Sequence, residues 1–315
     1  MHPLLSDLES AVRAAASYLL EVAASKEEAR AWIKSDGSLV LSLDLACDKI
    51  LVDKLIDCAP LMSEERTDTH KLIQGGATTC IVIDPIDGTS ACRRFLRQHG
   101  GQVGFGPLVG VIEGGRVTAA VYYNVPTRTL FSAVRGKGAR SISLPDPGMV
   151  APRFEARKRL QRASPAKLSD AVALHFLGRG GEGPIIEYLK VEGLIDNAYR
   201  FGGFANDCTR LAQGLEDLQL QLSVKPWDFA ATLFQHETGY DITMDPFGTV
   251  LHPASADERQ SGPICGVAYD QWQVQMENPV VVAPPYIMPE FLSRIEAIKR
   301  QFGHRFYSKT DRLLP

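Results

Sequence analysis

Apolar residues at Leu4, Leu5, Leu8, Ala11, Val12, Ala15, Leu19 and Leu20 recur at the 3.6-residue period of a helix, so the chain opens on an amphipathic helix. A second helix is predicted over residues 45–57, ending before Pro60. The period then changes. Cys80-Ile81-Val82-Ile83 is a continuous apolar run rich in β-branched residues, which reads as a buried strand closed by a tight turn at Asp84-Pro85-Ile86-Asp87-Gly88-Thr89. Residues 108–113, 117–123 and 129–134 form an antiparallel meander, with turns at Gly114-Gly115 and over 124–128. Residues 145–167 hold Pro, Gly and a basic run over 153–162, read as a solvated linker. Beyond it, strands are expected at 171–176, 217–222 and 280–283, and helices at 184–192, 205–214, 227–238 and 289–302. The expected organisation is an α+β lobe over residues 1–150 and an α/β lobe over 151–315.

Composition changes this picture little. A chain of 315 residues with 45% hydrophobic residues has ample material for a packed core. A net charge of −3 gives no footprint for a nucleic-acid or membrane-surface partner. No apolar run reaches the length of a membrane helix, and no signal-peptide pattern follows Met1. The six cysteines lack C-x-x-C spacing, so reduced thiols in a cytoplasmic protein are expected rather than disulfides or zinc. The seven histidines show no mutual metal-ligand spacing.

The candidate chemistry sits in the acid turn. Pro85 donates no N–H, which leaves the Ile86 carbonyl free to point with Asp84 and Asp87, while Gly88 permits close approach and Thr89 adds a hydroxyl. Two acids, a carbonyl and a hydroxyl make a hard-oxygen site suited to Mg²⁺. The bland alternative is an ordinary Asp-Gly turn. Further motifs decide between them: Lys34-Ser35-Asp36-Gly37-Ser38 leading to Asp44, Met62-Ser63-Glu64-Glu65, residues 121–128 and 130–139, and Lys225-Pro226-Trp227-Asp228 closing with Glu237-Thr238-Gly239.

Taken together, these motifs resemble the inositol monophosphatase family, within the Mg²⁺-dependent and often Li⁺-sensitive sugar-phosphatase superfamily. The resemblance implies a two-lobed, layered αβαβα fold with the site between the lobes, and commonly a homodimer. It implies two or three Mg²⁺ ions. Glu64, Asp84 and the Ile86 carbonyl hold the ion that activates water; Asp84, Asp87 and Asp228 hold a second, near the phosphate and leaving oxygen. Thr89 with Glu64 orients the water, and the phosphate meets Asp87 and the N–H groups of Gly88 and Thr89 at a helix start. Asp44 matches a catalytic acid near a third ion or, alternatively, caps a helix starting at Leu45. The resemblance places Glu64, Asp84, Asp87 and Asp228 together, and four such carboxylates ask for metal, since two of them about 4 Å apart repel by roughly 4 kcal/mol at an effective dielectric near 20.

Two departures bear on the substrate. Arg93, Arg94, Arg97 and His99 follow the acid turn, either to meet a second anionic group or as a solvated helix face. Gly203-Phe204 stands where the family has small or hydroxylated residues, and Gln221 where it has a sugar-binding Glu. Phe204 either narrows the pocket or packs in the core, and Gln221 alters the hydrogen-bond pattern. The expected activity is hydrolysis of a small phosphate ester: an inositol or sugar phosphate, histidinol phosphate or a 3′-phosphonucleotide. The competing reading is a non-catalytic Mg²⁺- or phosphometabolite-binding regulator.

Overall fold

The computed structural model describes residues 2–25, 30–33, 39–66, 69, 79–98, 101, 103–114, 116–144, 158–161, 165, 167–175, 189–199, 202–221, 224–243 and 280–302. Residues 34–38, most of the basic run, all but the end of the helix expected at 184–192, and His99 lie outside them. The outer layer is a helix pair, α1 (Leu5–Ser25) and α2 (Ser42–Leu55), packed on one face of a seven-stranded sheet. Its strands run in the order β3 (Leu61–Ser63), β4 (Thr79–Asp87), β5 (Gly106–Glu113), β6 (Arg116–Asn124), β7 (Thr129–Val134), β8 (Gly138–Ser143) and β9 (Lys158–Arg159). In this sheet only β3 and β4 pair in parallel; β5 to β7 are the antiparallel meander the turns predicted, and β8 and β9 extend it beyond that expectation.

The strand pleat sorts the side chains between layers. Ile81, Ile83, Val109 and Val111 face the α1/α2 pair, whereas Val82 and Leu108 face a middle helical layer. That layer is α4 (Phe204–Ala212), a 3₁₀ turn over Asp228–Ala231 and α5 (Thr232–His236). The helix α3 (Thr89–Gln98) precedes it in the chain and leaves directly from the end of β4. A five-stranded sheet covers the far side, in the order β11 (Asn197–Tyr199), β10 (Val172–His175), β12 (Leu218–Gln221), β14 (Val280–Ala283) and β13 (Asp241–Thr243). On β14, Val280 and Val282 join the middle core, and Val281 and Ala283 meet the last layer, α6 (Met288–Phe302). The result is the αβαβα sandwich the resemblance implied. A small antiparallel hairpin, β1 (Ala31–Ile33) with β2 (Leu39–Leu41), precedes α2.

Four local expectations change. The acid pair lies inside β4 rather than in a turn after it. The pairing of β4 with β5 shifts register between Asp84 and Asp87, where Pro85 can donate no ladder hydrogen bond. Helix α2 begins at Ser42, three residues early. The helix expected over 227–238 splits into the 3₁₀ turn and the short α5. Within the basic run, Lys158–Arg159 is an edge strand paired with β8 instead of free linker. Among the described residues, no helix is long and apolar enough to cross a membrane, and Cys47, Cys58, Cys80, Cys92 and Cys208 are free thiols.

Candidate active site

The starts of α2, α3, α4 and the 3₁₀ turn converge on the end of β4, with acids supplied by the strand, by α2 and by the 3₁₀ turn. Asp84 and Asp87 come from the bulged strand end and Asp228 from the start of the 3₁₀ turn; one carboxylate oxygen of each lies within 4.8 Å of the others. Lys-Pro-Trp places Asp228 there, with the Lys225 N–H donating to its Oδ2 at 3.4 Å. Asp84 is buried and accepts from the Ile86 N–H at 3.0 Å, the closed Asx geometry that Pro85 favours. Burial pushes the Asp84 carboxyl well above the ordinary range, and the charges of Glu64, Asp228 and Asp87 push it further. Asp228 is raised likewise, by burial first and then by Asp87 and Glu64, so Asp84 and Asp228 share a hydrogen bond between their carboxyl groups.

Asp87 is buried and its pKa is pushed up to about 7 by desolvation, against the hydrogen bonds it accepts from the N–H groups of Ala205, Phe204 and Asn206 at the start of α4. Gly88, at a φ of 86°, turns the chain so that its carbonyl accepts from the Ala91 and Cys92 N–H groups and α3 starts at Thr89. The Thr89 hydroxyl lies 3.2 Å from both Asp44 Oδ1 and the Ile86 carbonyl. Asp44 is buried in the first turn of α2, where it accepts from the Leu41 N–H at 2.6 Å. It therefore steadies that helix start from inside the first turn, not as the N-cap before Leu45, since Leu41 holds the N-cap position, and it also reaches Thr89. Burial pushes its pKa up to about 7, with contributions from Glu64 and Glu65.

Glu64 follows β3, with its N–H donating to the Ile83 carbonyl at 3.1 Å, and its charge acts on Asp44, Asp84, Asp87 and Asp228 alike. It stands outside the close trio. The turn that carries it is held by Asp48, a residue the sequence reading missed. Asp48 accepts from Ser63 Oγ at 2.5 Å and from Arg66 Nε at 2.7 Å. The signal was available: Asp44 and Asp48 are four residues apart, on one face of α2. Glu237, also given no role, accepts from the Gly136 and Gly138 N–H groups at 2.9 and 2.8 Å and fixes the β7–β8 turn against α5.

The substrate-side candidates divide. Gly203 sits at the start of α4 against Asp87. The Phe204 ring is buried in the middle-layer core, so packing accounts for it and only its N–H reaches the acids. Gln221 is buried at the end of β12. Arg93 is half-buried and Arg94 exposed on α3. Carboxylates gathered this closely, four of them with pKa values displaced upwards by burial and by neighbouring acids, fit hard divalent cations better than any all-protein arrangement.

Residues 2–287 match the family model described as the inositol monophosphatase family. The Nus factor SuhB of Escherichia coli K12 is 24% identical over 237 residues, 73% of this chain and 80% of that protein. An inositol-1-monophosphatase of Caulobacter vibrioides is 26% identical over 219 residues, 67% of this chain and 77% of its own. Among solved structures, the extragenic suppressor protein suhB from Bartonella henselae superposes with a TM-score of 0.68 at 21% identity, over 93% of this chain and 98% of that one. An IMPase/NADP phosphatase complexed with Mg²⁺ and phosphate superposes with a TM-score of 0.63 at 17% identity, over 92% and 96%. With the match running nearly end to end and the acidic trio standing where the layered fold converges, the chain belongs to the inositol monophosphatase family.

Proposed function

We propose that this protein is a Mg²⁺-dependent phosphomonoesterase that hydrolyses a small-metabolite phosphate ester by direct attack of water. The observation that carries the reading is the trio of Asp84, Asp87 and Asp228 within 4.8 Å of one another, beside the start of α3. Glu64, Asp84 and the Ile86 carbonyl would hold one ion, and Asp84, Asp87 and Asp228 a second; Asp44 lies toward a third position. When bound, Mg²⁺ neutralises the phosphate, lowers the pKa of a water and stabilises the leaving oxygen. The chain's own groups do the rest. The hydroxyl of Thr89 accepts from the attacking water while donating to Asp44 Oδ1, and Asp44, with its pKa near 7, holds the proton in the working range. Glu64 orients the same water. The Gly88 and Thr89 N–H groups at the α3 start face the phosphate, as an anion at a helix N-terminus requires. No nucleophilic Ser or Cys takes part.

The substrate is an inositol or sugar phosphate, histidinol phosphate or a 3′-phosphonucleotide, with Gln221, Gly203 and the Arg93/Arg94 face of α3 setting the choice. The chain divides near residue 150 into two lobes, works as a homodimer in the cytoplasm and is inhibited by Li⁺. Phosphate release from a panel of these esters, with and without Mg²⁺, is the test: turnover of one ester only with the metal is expected, and silence from folded, Mg²⁺-binding protein sinks the catalytic reading. A non-catalytic regulator is the second reading, favoured by relatives whose name is Nus factor. The complete water-orienting set of Glu64, Thr89 and Asp44 goes beyond what a binding protein needs.

A further inference from the structure

Helix α4 lacks an N-cap of its own. Gly203 occupies that position and carries no side chain to cap with, although its neighbours have first-turn N–H groups to satisfy. The cap comes instead from Asp87, 117 positions away from Phe204 in the chain. Asp87 Oδ1 accepts from the Phe204 N–H at 2.8 Å and Oδ2 from the Ala205 N–H at 2.9 Å. Gly203 is what lets this happen. Its φ of −78° and ψ of 165° are open to any residue, so torsion does not demand glycine there. Space does: a Cβ on Gly203 would overlap the Asp87 carboxylate, which fills the place a side chain would take. The Gly203 N–H, 3.4 Å from the Gly104 carbonyl, and the Gly104↔Gly202 bridge hold the segment in register beside the residues that lead into β5.

We infer that Gly203 is a positioning residue, whose missing side chain allows α4 to grip Asp87 and so to pre-orient one carboxylate of the metal trio. The inference rests on the reading of Asp87 as a Mg²⁺ ligand. With both oxygens already tied to backbone, the carboxylate loses little freedom when a cation arrives, and the positive end of the helix tempers its repulsion with Asp84 and Asp228 in the metal-free protein. With the Asn206 N–H also donating to it, the carboxylate keeps one lone pair free for the ion. The arrangement also ties the seven-stranded sheet to the middle layer at the site itself.

The test is Mg²⁺ titration calorimetry on the full-length, metal-free protein and on Gly203→Ala, with circular dichroism as the check on folding. Binding by the unaltered protein and affinity lowered roughly 10- to 100-fold in the variant is the expected result, the usual scale for a residue that orients a ligand. Equal affinities overturn the positioning role alone. No Mg²⁺ uptake by the unaltered protein overturns the metal reading and the inference with it, a distinguishable result. Should Gly203→Ala not fold, amide hydrogen exchange in Asp87→Ala decides: protection lost at Phe204 and Ala205 but kept at Leu211 and Ala212 is expected, and unchanged protection at all four overturns the cap.

Discussion

Asp228 and Asp84 carry like charge into one buried place, so their removal should separate binding from folding. In Asp84→Asn or Asp228→Asn the side chain keeps its shape, and turnover should fall by at least roughly 10²- to 10³-fold, since the electrostatic clamp on the phosphate is lost. Thermal unfolding without metal should stay close to that of the unaltered protein, because the amide can donate where the shared proton did; an unchanged rate of phosphate release would refute the site. At Thr89 the hydroxyl alone is at stake. Thr89→Val should lower kcat roughly 10²- to 10⁴-fold with KM nearly unchanged, and Thr89→Ser should restore most of it. A loss confined to KM would mean that Thr89 binds substrate and does not orient water. Both groups of residues were legible in the sequence, because Asp-Pro-Ile-Asp-Gly-Thr and Lys-Pro-Trp-Asp are local strings. The double engagement of Asp44 was not, because its partner Thr89 lies on another helix start.

Elements of the site are also held by carboxylates outside the acidic trio. Asp48 joins α2 to the turn after β3 through Ser63 and Arg66. Asp48→Ala should cost about 1–3 kcal/mol in denaturant unfolding, with the partners left partly unsatisfied, and should weaken Mg²⁺ binding through Glu64. Retained Mg²⁺ affinity would detach the turn from the site. Glu237 behaves similarly on the far side: burial would raise its pKa, but hydrogen bonds from His236, Gly136 and Gly138 outweigh burial and hold it below its ordinary value. The elements read correctly from sequence include those with a strong apolar period, α1, β4 to β7, β14 and α6, and also β10, β12 and α4. Short polar strands such as β8 (Gly138–Ser143) and β11 (Asn197–Tyr199) escaped, since their pairing comes from neighbours in the sheet and not from their own pattern.

For the whole molecule, the concentrated acids make stability depend on pH and metal together. Asp44 and Asp87 hold protons in the folded chain up to about pH 7, against a reference of 3.8. The folded state thus binds more protons than the unfolded one between about pH 4 and 7, and the metal-free protein loses stability as pH rises through that window. Differential scanning calorimetry should find a lower metal-free Tm at pH 8 than at pH 5, and a larger upward shift from Mg²⁺ at pH 8, where no proton competes for the carboxylates. A metal-free Tm that rises with pH would contradict the burial of these acids. The sequence by itself determined the family, with the layered fold its resemblance implied, and named Asp84, Asp87 and Asp228, which the fold brings together, because contiguous motifs are properties of neighbours along the chain. Tertiary structure alone decided that Asp87 caps α4, that Phe204 packs in the core and that Asp48 holds the Glu64 turn. Each of these joins residues from separate elements, and such contacts are set by how the layers close on one another.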